Sequence, residues 1–87
     1  MPTTPALARA HTAYLVIEPT YRDARTLADE AARAGLAIHA HPDTVHALHA
    51  AVVVYGPMVR RTSLAAVLDV DVRADVSLPP GVVVLAG

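Results

Sequence analysis

Short apolar runs along the chain are separated by one long amphipathic stretch, and this pattern predicts the secondary structure. The run at 51–57, Ala-Val-Val-Val-Tyr-Gly-Pro, places four small or β-branched residues in succession before a Gly-Pro end. Such a run is typical of a strand that is buried on both faces. We therefore expect this strand in the middle of a sheet, with the rest of the chain arranged around it.

The stretch 21–34 has the spacing of an amphipathic helix. Thr20 is placed to cap its first turn together with Asp23, and Gly35 provides a left-handed end. Because the apolar stripe is mostly alanine, this helix can lie close to a sheet. The residues that recur at helical spacing, and that we expect to face the core, are Ala24, Leu27, Ala28 and Ala31.

Strands are predicted on both sides of this helix, at 13–17 and 36–41. A strand, a helix and a second strand in this order form a β-α-β unit, for which parallel pairing and a right-handed crossover are expected. A short helix at 43–50 then leads into the central strand.

A third helix is predicted at 61–68, with Thr62 or Ser63 as its cap. From 69 to 76 charged and apolar residues alternate, as in an edge strand, and an apolar strand at 82–85 ends the chain. The element order is therefore β-α-β-α-β-α-β-β. The fold class predicted from this order is α/β, with a small open, mostly parallel sheet and one antiparallel C-terminal strand.

Composition restricts the class of protein. The chain has 87 residues, which is the size of one domain, and we expect a flexible N-terminal arm at 1–12 before a single α/β domain at 13–87. Cysteine is absent, which excludes disulfides and cysteine-metal sites and is typical of a cytoplasmic protein. No apolar run is long enough for a membrane span, so we expect a soluble protein. The net charge of -1, with seven dispersed arginines, disfavours nucleic-acid binding.

The predicted helices are too few for the predicted strands. One helix covers about two strands on one face of a sheet, so five strands covered on both faces need more than three helices. We therefore predict self-association, with a dimer as the simplest form, in which a second copy covers one face or the edge at 82–85. The alternative is that short strands and the N-terminal arm complete the sheet within a monomer.

Four of the five histidines lie within eleven residues, which raises the possibility of a metal site. Imidazole and carboxylate groups at this spacing can converge on a divalent metal such as zinc. The His-x-His-x-Asp fragment resembles the metal motif of metallo-β-lactamase-fold hydrolases, although those proteins have a further His where this chain has Thr44. The alternative is that these histidines face solvent or pack at a helix end. The candidate metal ligands are His39, His41, Asp43 and His46.

A small-molecule site is expected beyond the carboxyl ends of the strands, where open parallel sheets bind ligands. Arginine side chains near a helix start make an anionic ligand the natural class for such a site. The candidate ligand-binding residues there are Glu18, Tyr21, Tyr55, Gly56, Arg60 and Arg61.

The carboxylates of Glu18, Asp69 and Asp71 suggest a further possibility. A carboxylate after the first strand with a later Asp-x-Asp resembles the Toprim pattern of primases and topoisomerases, which holds magnesium for phosphoryl transfer. Here Pro19 replaces the usual glycine, and the alternating edge strand already accounts for the Asp pair.

Apolar surface is thus the stronger signal, and polar chemistry the weaker one. The sequence favours a small cytoplasmic, non-catalytic interaction or regulatory module that acts as a homo-oligomer. The alternatives are a metal-binding protein or metal-dependent enzyme using the histidine cluster, and a sensor of a small anionic ligand at the strand edge. The sequence does not identify a partner or ligand.

Overall fold

A computed structural model describes residues 12–53 and 62–87, which form three helices and one open four-stranded sheet. The fold class is α/β, as predicted. The predicted arm at 1–12 lies outside the described residues except for Thr12, with which the first strand begins. In chain order the elements are β1 (Thr12–Leu15), α1 (Tyr21–Ala34), β2 (Ala37–Ala40), α2 (Pro42–Val53), α3 (Leu64–Leu68), β3 (Val72–Ala74) and β4 (Val82–Ala86).

Helix α1 confirms its prediction in bounds, ends and buried face. Thr20 and Asp23 form a reciprocal capping box, in which each side chain accepts a hydrogen bond from the other residue's backbone N–H. Gly35 ends the helix at φ 69°, a left-handed conformation that glycine adopts without the penalty of a Cβ. The buried residues of the helix are the four predicted ones, Ala24, Leu27, Ala28 and Ala31.

The predicted mostly parallel sheet is wrong, because the strand order is β1-β4-β2-β3. β4 lies between β1 and β2 and is antiparallel to both, and only β2 and β3 form a parallel pair. The strands on either side of α1 therefore run in the same direction without touching. The predicted antiparallel direction of the last strand is right, but its expected edge position is not. With Val83, Val84 and Leu85 all buried, β4 is the strand that most needs a central place.

The predicted central strand at 51–57 is wrong where the structure describes it. Residues 51–53 are the last turn of α2, and 54–57 lie outside the described residues. Val52 follows Leu48 by four positions, and both side chains are fully buried in the core. A continuous helix thus buries this stretch without a strand, which also reduces the sheet from five predicted strands to four.

The later elements follow their predictions with shorter bounds. Ser63 caps α3, and its Oγ accepts a hydrogen bond from the Ala66 N–H at 3.2 Å. The predicted strand at 69–76 is reduced to β3, which is an edge strand as expected. Asp69 instead ends α3 with φ 56°.

The core lies on one side of the sheet. Buried residues of all three helices cluster with Ile38 and Ala40 of β2 and with Val83 and Leu85 of β4. Side chains alternate along a strand, so the remaining residues face the opposite way. We call this opposite side the outer face, and the strand register places on it Ala13, Leu15, Ala37, His39, Arg73, Val82, Val84 and Ala86.

Exposure of the outer face increases from its centre toward both edges, β1 and β3. Ala37 and Val84, near its centre, are buried, whereas Ala13 is exposed and Leu15 is 70% exposed. Ile17, just beyond β1, is 77% exposed. Among the described helices, none is both long and apolar enough to cross a membrane.

Candidate functional site

A cavity of about 240 Å³ lies at the carboxyl ends of β1 and β2, beside the start of β4. It lies beyond the strand ends, where the small-molecule site was predicted, and ligand binding there stays a prediction. The walls are mostly apolar, and the polar groups come from the first turn of α2. The lining residues are Val16, Ile17, Pro19, Asp43, Thr44, Ala47, Pro80 and Gly81.

The first turn of α2 offers this cavity no free backbone N–H. The N–H of Asp43 donates to His41 Nδ1 at 3.0 Å, and the N–H groups of Thr44 and Val45 donate to the His41 carbonyl at 2.9 and 3.0 Å. Pro42, the first residue of the helix, has no N–H. The charged group that lines the cavity is the Asp43 carboxylate. An anion is therefore the ligand class that the described lining of this cavity favours least.

Thr44 fixes the geometry of the cavity floor. Its side chain is buried, and its Oγ1 accepts a hydrogen bond from the Gly81 N–H at 2.8 Å. This bond joins the start of α2 to the turn before β4, across 37 residues of sequence. Thr44 was not among the predicted site residues, which in this segment are histidines and Asp43. The sequence feature that indicates a buried Thr44 is its position four residues before Leu48, on the same side of α2.

The predicted histidine cluster is spread over two elements. His41 contacts Asp43, with 3.7 Å between Nδ1 and Oδ2, but its Nδ1 already accepts the Asp43 N–H. That lone pair is not available to a metal ion in this conformation. His46 and His49 lie on α2 beside a separate cavity of about 370 Å³. Among the described residues, no three His, Cys, Asp or Glu side chains are grouped so as to hold a metal ion.

His39 lies on the outer face, opposite Arg73 of β3 and Val84 of β4. Its Nε2 is buried and has no hydrogen-bond partner. Nearby, two hydrogen bonds from Ser77, one from its hydroxyl and one from its backbone N–H, lower the pKa of the Asp75 carboxyl, and attraction to His39 adds to the effect. The four predicted metal ligands are thus not brought together, and metal binding stays a prediction.

The predicted anion site falls mostly outside the described residues, because Tyr55, Gly56, Arg60 and Arg61 all lie there. Glu18 is exposed and Tyr21 is 40% exposed. Both are neighbours in sequence of the cavity residues but do not line the cavity.

The Toprim-like arrangement is not formed. Glu18 follows the carboxyl end of β1, whereas Asp69 and Asp71 precede the amino end of β3. β1 and β3 run in the same direction and are the two outer strands of the sheet, so these carboxylates lie at opposite ends and opposite edges. Asp71 instead pairs with Arg73 at 3.2 Å.

Among the described residues, two exposed aliphatic side chains lie on or directly after β1, namely Leu15 and Ile17. We call the group Ala13, Leu15, Ile17 and Val82 the β1 surface; Val82 of β4 stands directly opposite Leu15. On the other side of β1, the Tyr14 hydroxyl donates a hydrogen bond to the Glu30 carboxylate of α1. This hydrogen bond, together with desolvation and repulsion from the Glu30 charge, raises the pKa of Tyr14. The bond fixes β1 to the helix layer and leaves Leu15 turned outward.

Comparison with protein-family models, with curated proteins and with solved structures finds no match for this chain. Function is therefore inferred from the geometry of the strand-end cavity and of the β1 surface.

Proposed function

We propose that this protein is a small, non-catalytic interaction module of the cytoplasm that acts as a homo-oligomer, with a dimer as its basic form. The observation that supports this proposal is the β1 surface, where Leu15 is 70% exposed and Ile17, two residues further along the chain, is 77% exposed. Contiguous apolar surface on a small domain is typical of a protein interface. A second copy that covers it removes this surface from water.

The site chemistry supports a non-catalytic role. Two backbone N–H groups at the strand-end cavity are already hydrogen-bonded: that of Asp43 donates to His41 Nδ1, and that of Gly81 donates to Thr44 Oγ1. A catalytic site needs a nucleophile or base held within reach of a substrate and aligned by a supporting group. Among mostly apolar walls, the described side-chain polar groups of this cavity are the exposed Asp43 carboxylate and the buried Thr44 hydroxyl, which accepts the Gly81 N–H.

The test is the mass of the full chain in solution, measured by light scattering over a concentration series. We expect a dimer for the natural sequence and a shift to the 9.1 kDa monomer for Leu15→Asp, because a charge at this position must be desolvated when the interface forms. The matched control is Val76→Asp. Val76 is also an exposed aliphatic residue, at 78%, but it follows β3 at the other edge of the sheet.

A natural chain that is monomeric at every concentration contradicts the proposal. If Val76→Asp dissociates while Leu15→Asp stays dimeric, the interface lies at the β3 edge and the proposed β1 interface is wrong. Stoichiometric metal in the purified, untagged protein would instead favour the metal-binding alternative built on His39, His41, Asp43 and His46.

A further inference from the structure

The two edges of the sheet differ in chemistry. β3 has three residues, carries Arg73 and lies between Asp71 and Asp75, and short length and charge are the means by which sheets prevent edge-to-edge pairing. β1 has the sequence Thr-Ala-Tyr-Leu, with no charge and no proline. On the outer face of the sheet, its large apolar side chain, Leu15, is exposed. The β1 edge therefore lacks the protection that the β3 edge has.

Within the described part of the chain, the backbone of β1 has a strand on one side only. The Val16 N–H donates to the Gly81 carbonyl at 2.6 Å, which identifies Val16 and Gly81 as a hydrogen-bonded pair. In an antiparallel pair, hydrogen-bonded and non-hydrogen-bonded positions alternate along the strand. Thr12 and Tyr14 therefore direct their backbone groups toward β4. Ala13 and Leu15 direct their N–H and C=O groups away from the sheet, where no strand stands among the described residues.

We propose that β1 pairs antiparallel with β1 of a second copy, so that two four-stranded sheets join into one sheet of eight strands. This inference rests on the proposed self-association and specifies how it occurs. The register with the most backbone bonds places Tyr14 on the twofold axis, opposite Tyr14 of the second copy. Ala13 then stands opposite Leu15 of the second copy on both sides of the axis, and each such pair exchanges two hydrogen bonds.

The side chains of β1 suit this register. A small residue faces a large one in both Ala13 and Leu15 pairs, and no charged side chain meets its own copy across the axis. On the helix side, α1 packs mainly over β2 and β4, and it contacts β1 through the Tyr14–Glu30 hydrogen bond.

Proline substitution tests the edge directly. Ala13→Pro removes an outward N–H and leaves every bond between β1 and β4 intact, since proline is tolerated on an edge strand whose N–H faces outward. We expect its mass in light scattering to fall to the 9.1 kDa monomer, with an unchanged far-UV circular dichroism spectrum and cooperative unfolding.

Ala74→Pro is the matched control at the other edge. Ile38 N–H donates to the Asp71 carbonyl and Asp75 N–H donates to the Ala40 carbonyl, both at 2.8 Å. The backbone groups at the odd-numbered positions of β3 therefore point toward β2, and the backbone N–H of Ala74 points away from the sheet. The same Ala-to-Pro change therefore removes an outward N–H there too. We expect this variant to remain a dimer.

A cross-linking experiment tests the register, and it uses the absence of cysteine from the chain. In the proposed pairing, positions 13 and 15 of opposite copies have Cα atoms about 5.5 Å apart, within the range that a disulfide spans. Each position lies about 7 to 8 Å or more from its own copy, which is too far. Mixing Ala13→Cys with Leu15→Cys under oxidising conditions should therefore give a disulfide-linked dimer that neither variant gives alone.

The outcomes separate this inference from the proposed function. A natural dimer that Leu15→Asp dissociates but Ala13→Pro does not, and whose cysteine mixture gives no cross-link, overturns edge pairing and leaves self-association standing. Equal cross-linking of either cysteine variant alone overturns the register. A natural chain that is monomeric at every concentration overturns both.

Discussion

Thr44 shows how much one residue can decide in a domain of this size. Its buried hydroxyl is the acceptor for the Gly81 N–H, and so it ties the first turn of α2 to the turn that leads into β4. Thr44→Val keeps the shape of the side chain and leaves that N–H without its acceptor. We expect the free energy of unfolding to fall by about 1 to 2 kcal/mol, measured by urea denaturation with an unchanged m-value.

Thr26→Val is the matched control for this prediction. Thr26 lies on α1 and is exposed, so the same chemical change should alter the free energy of unfolding by less than about 0.5 kcal/mol. Equal effects of the two substitutions would show that the Thr44 hydroxyl contributes nothing particular, and that the bond to Gly81 does not hold α2 against the sheet.

At the same scale, residue type was a poor guide to the candidate site. Four histidines close in sequence suggested a metal site. The direction of each side chain depends, however, on the residue at which the strand ends and the helix begins. β2 ends at Ala40 and α2 begins at Pro42, so His39 lies on the sheet while His46 and His49 lie along the helix. The location of the cavity at the strand ends could be predicted, whereas its apolar lining from Val16, Ile17 and Pro80 could not.

The elements were predictable where local signals agreed. In α1 the cap, the helical spacing and the final glycine all indicate one helix, and the structure has it at Tyr21–Ala34. In α2 the signals conflict. Alternation cannot distinguish a short apolar run in a buried strand from the end of a buried helix, and β-branched valines favour the strand. Packing decides, because Thr44, Leu48 and Val52 form one buried stripe that only a continuous helix provides.

The end of α2 yields a prediction that separates helix from strand. In a strand buried on both faces, Val52 and Val53 would be equally buried, and truncation of either would cost about the same. In the helix, Val52 is buried and Val53 is partly exposed. We expect Val52→Ala to lower the free energy of unfolding by about 2 kcal/mol.

Val53→Ala serves as the internal comparison. Alanine favours the helix more than valine does, which offsets part of the lost burial, so the expected cost is about 1 kcal/mol or less. Both values come from chemical denaturation of the full chain. Equal costs for the two positions would argue for the strand at 51–53 and against the helix.

At the scale of the whole molecule, the predicted self-association was argued from three helices and five strands, but the described sheet has four strands, and β4 is not at its edge. The sequence reveals that the last strand is apolar, but not that it inserts between β1 and β2, since strand order depends on contacts between distant segments. Once β4 occupies the centre, β1 becomes an edge, and Leu15 and Ile17 become the surface in need of cover. Self-association, predicted over one face of the sheet or over the edge at 82–85, stays a prediction; the edge position of 82–85 is wrong, and we propose the β1 edge instead.

If the folded form is a dimer, stability must depend on concentration. Mass action favours the folded dimer over unfolded chains, and each tenfold rise in concentration above Kd is worth about 1.4 kcal/mol per dimer, or roughly 0.7 kcal/mol per chain. For a domain of this size, that corresponds to an increase in Tm of about 3 to 6 °C. We expect this increase in thermal unfolding of the natural chain, followed by circular dichroism, and its loss in Leu15→Asp. A Tm that stays constant across concentrations would mean that the β1 surface is exposed in a stable monomer.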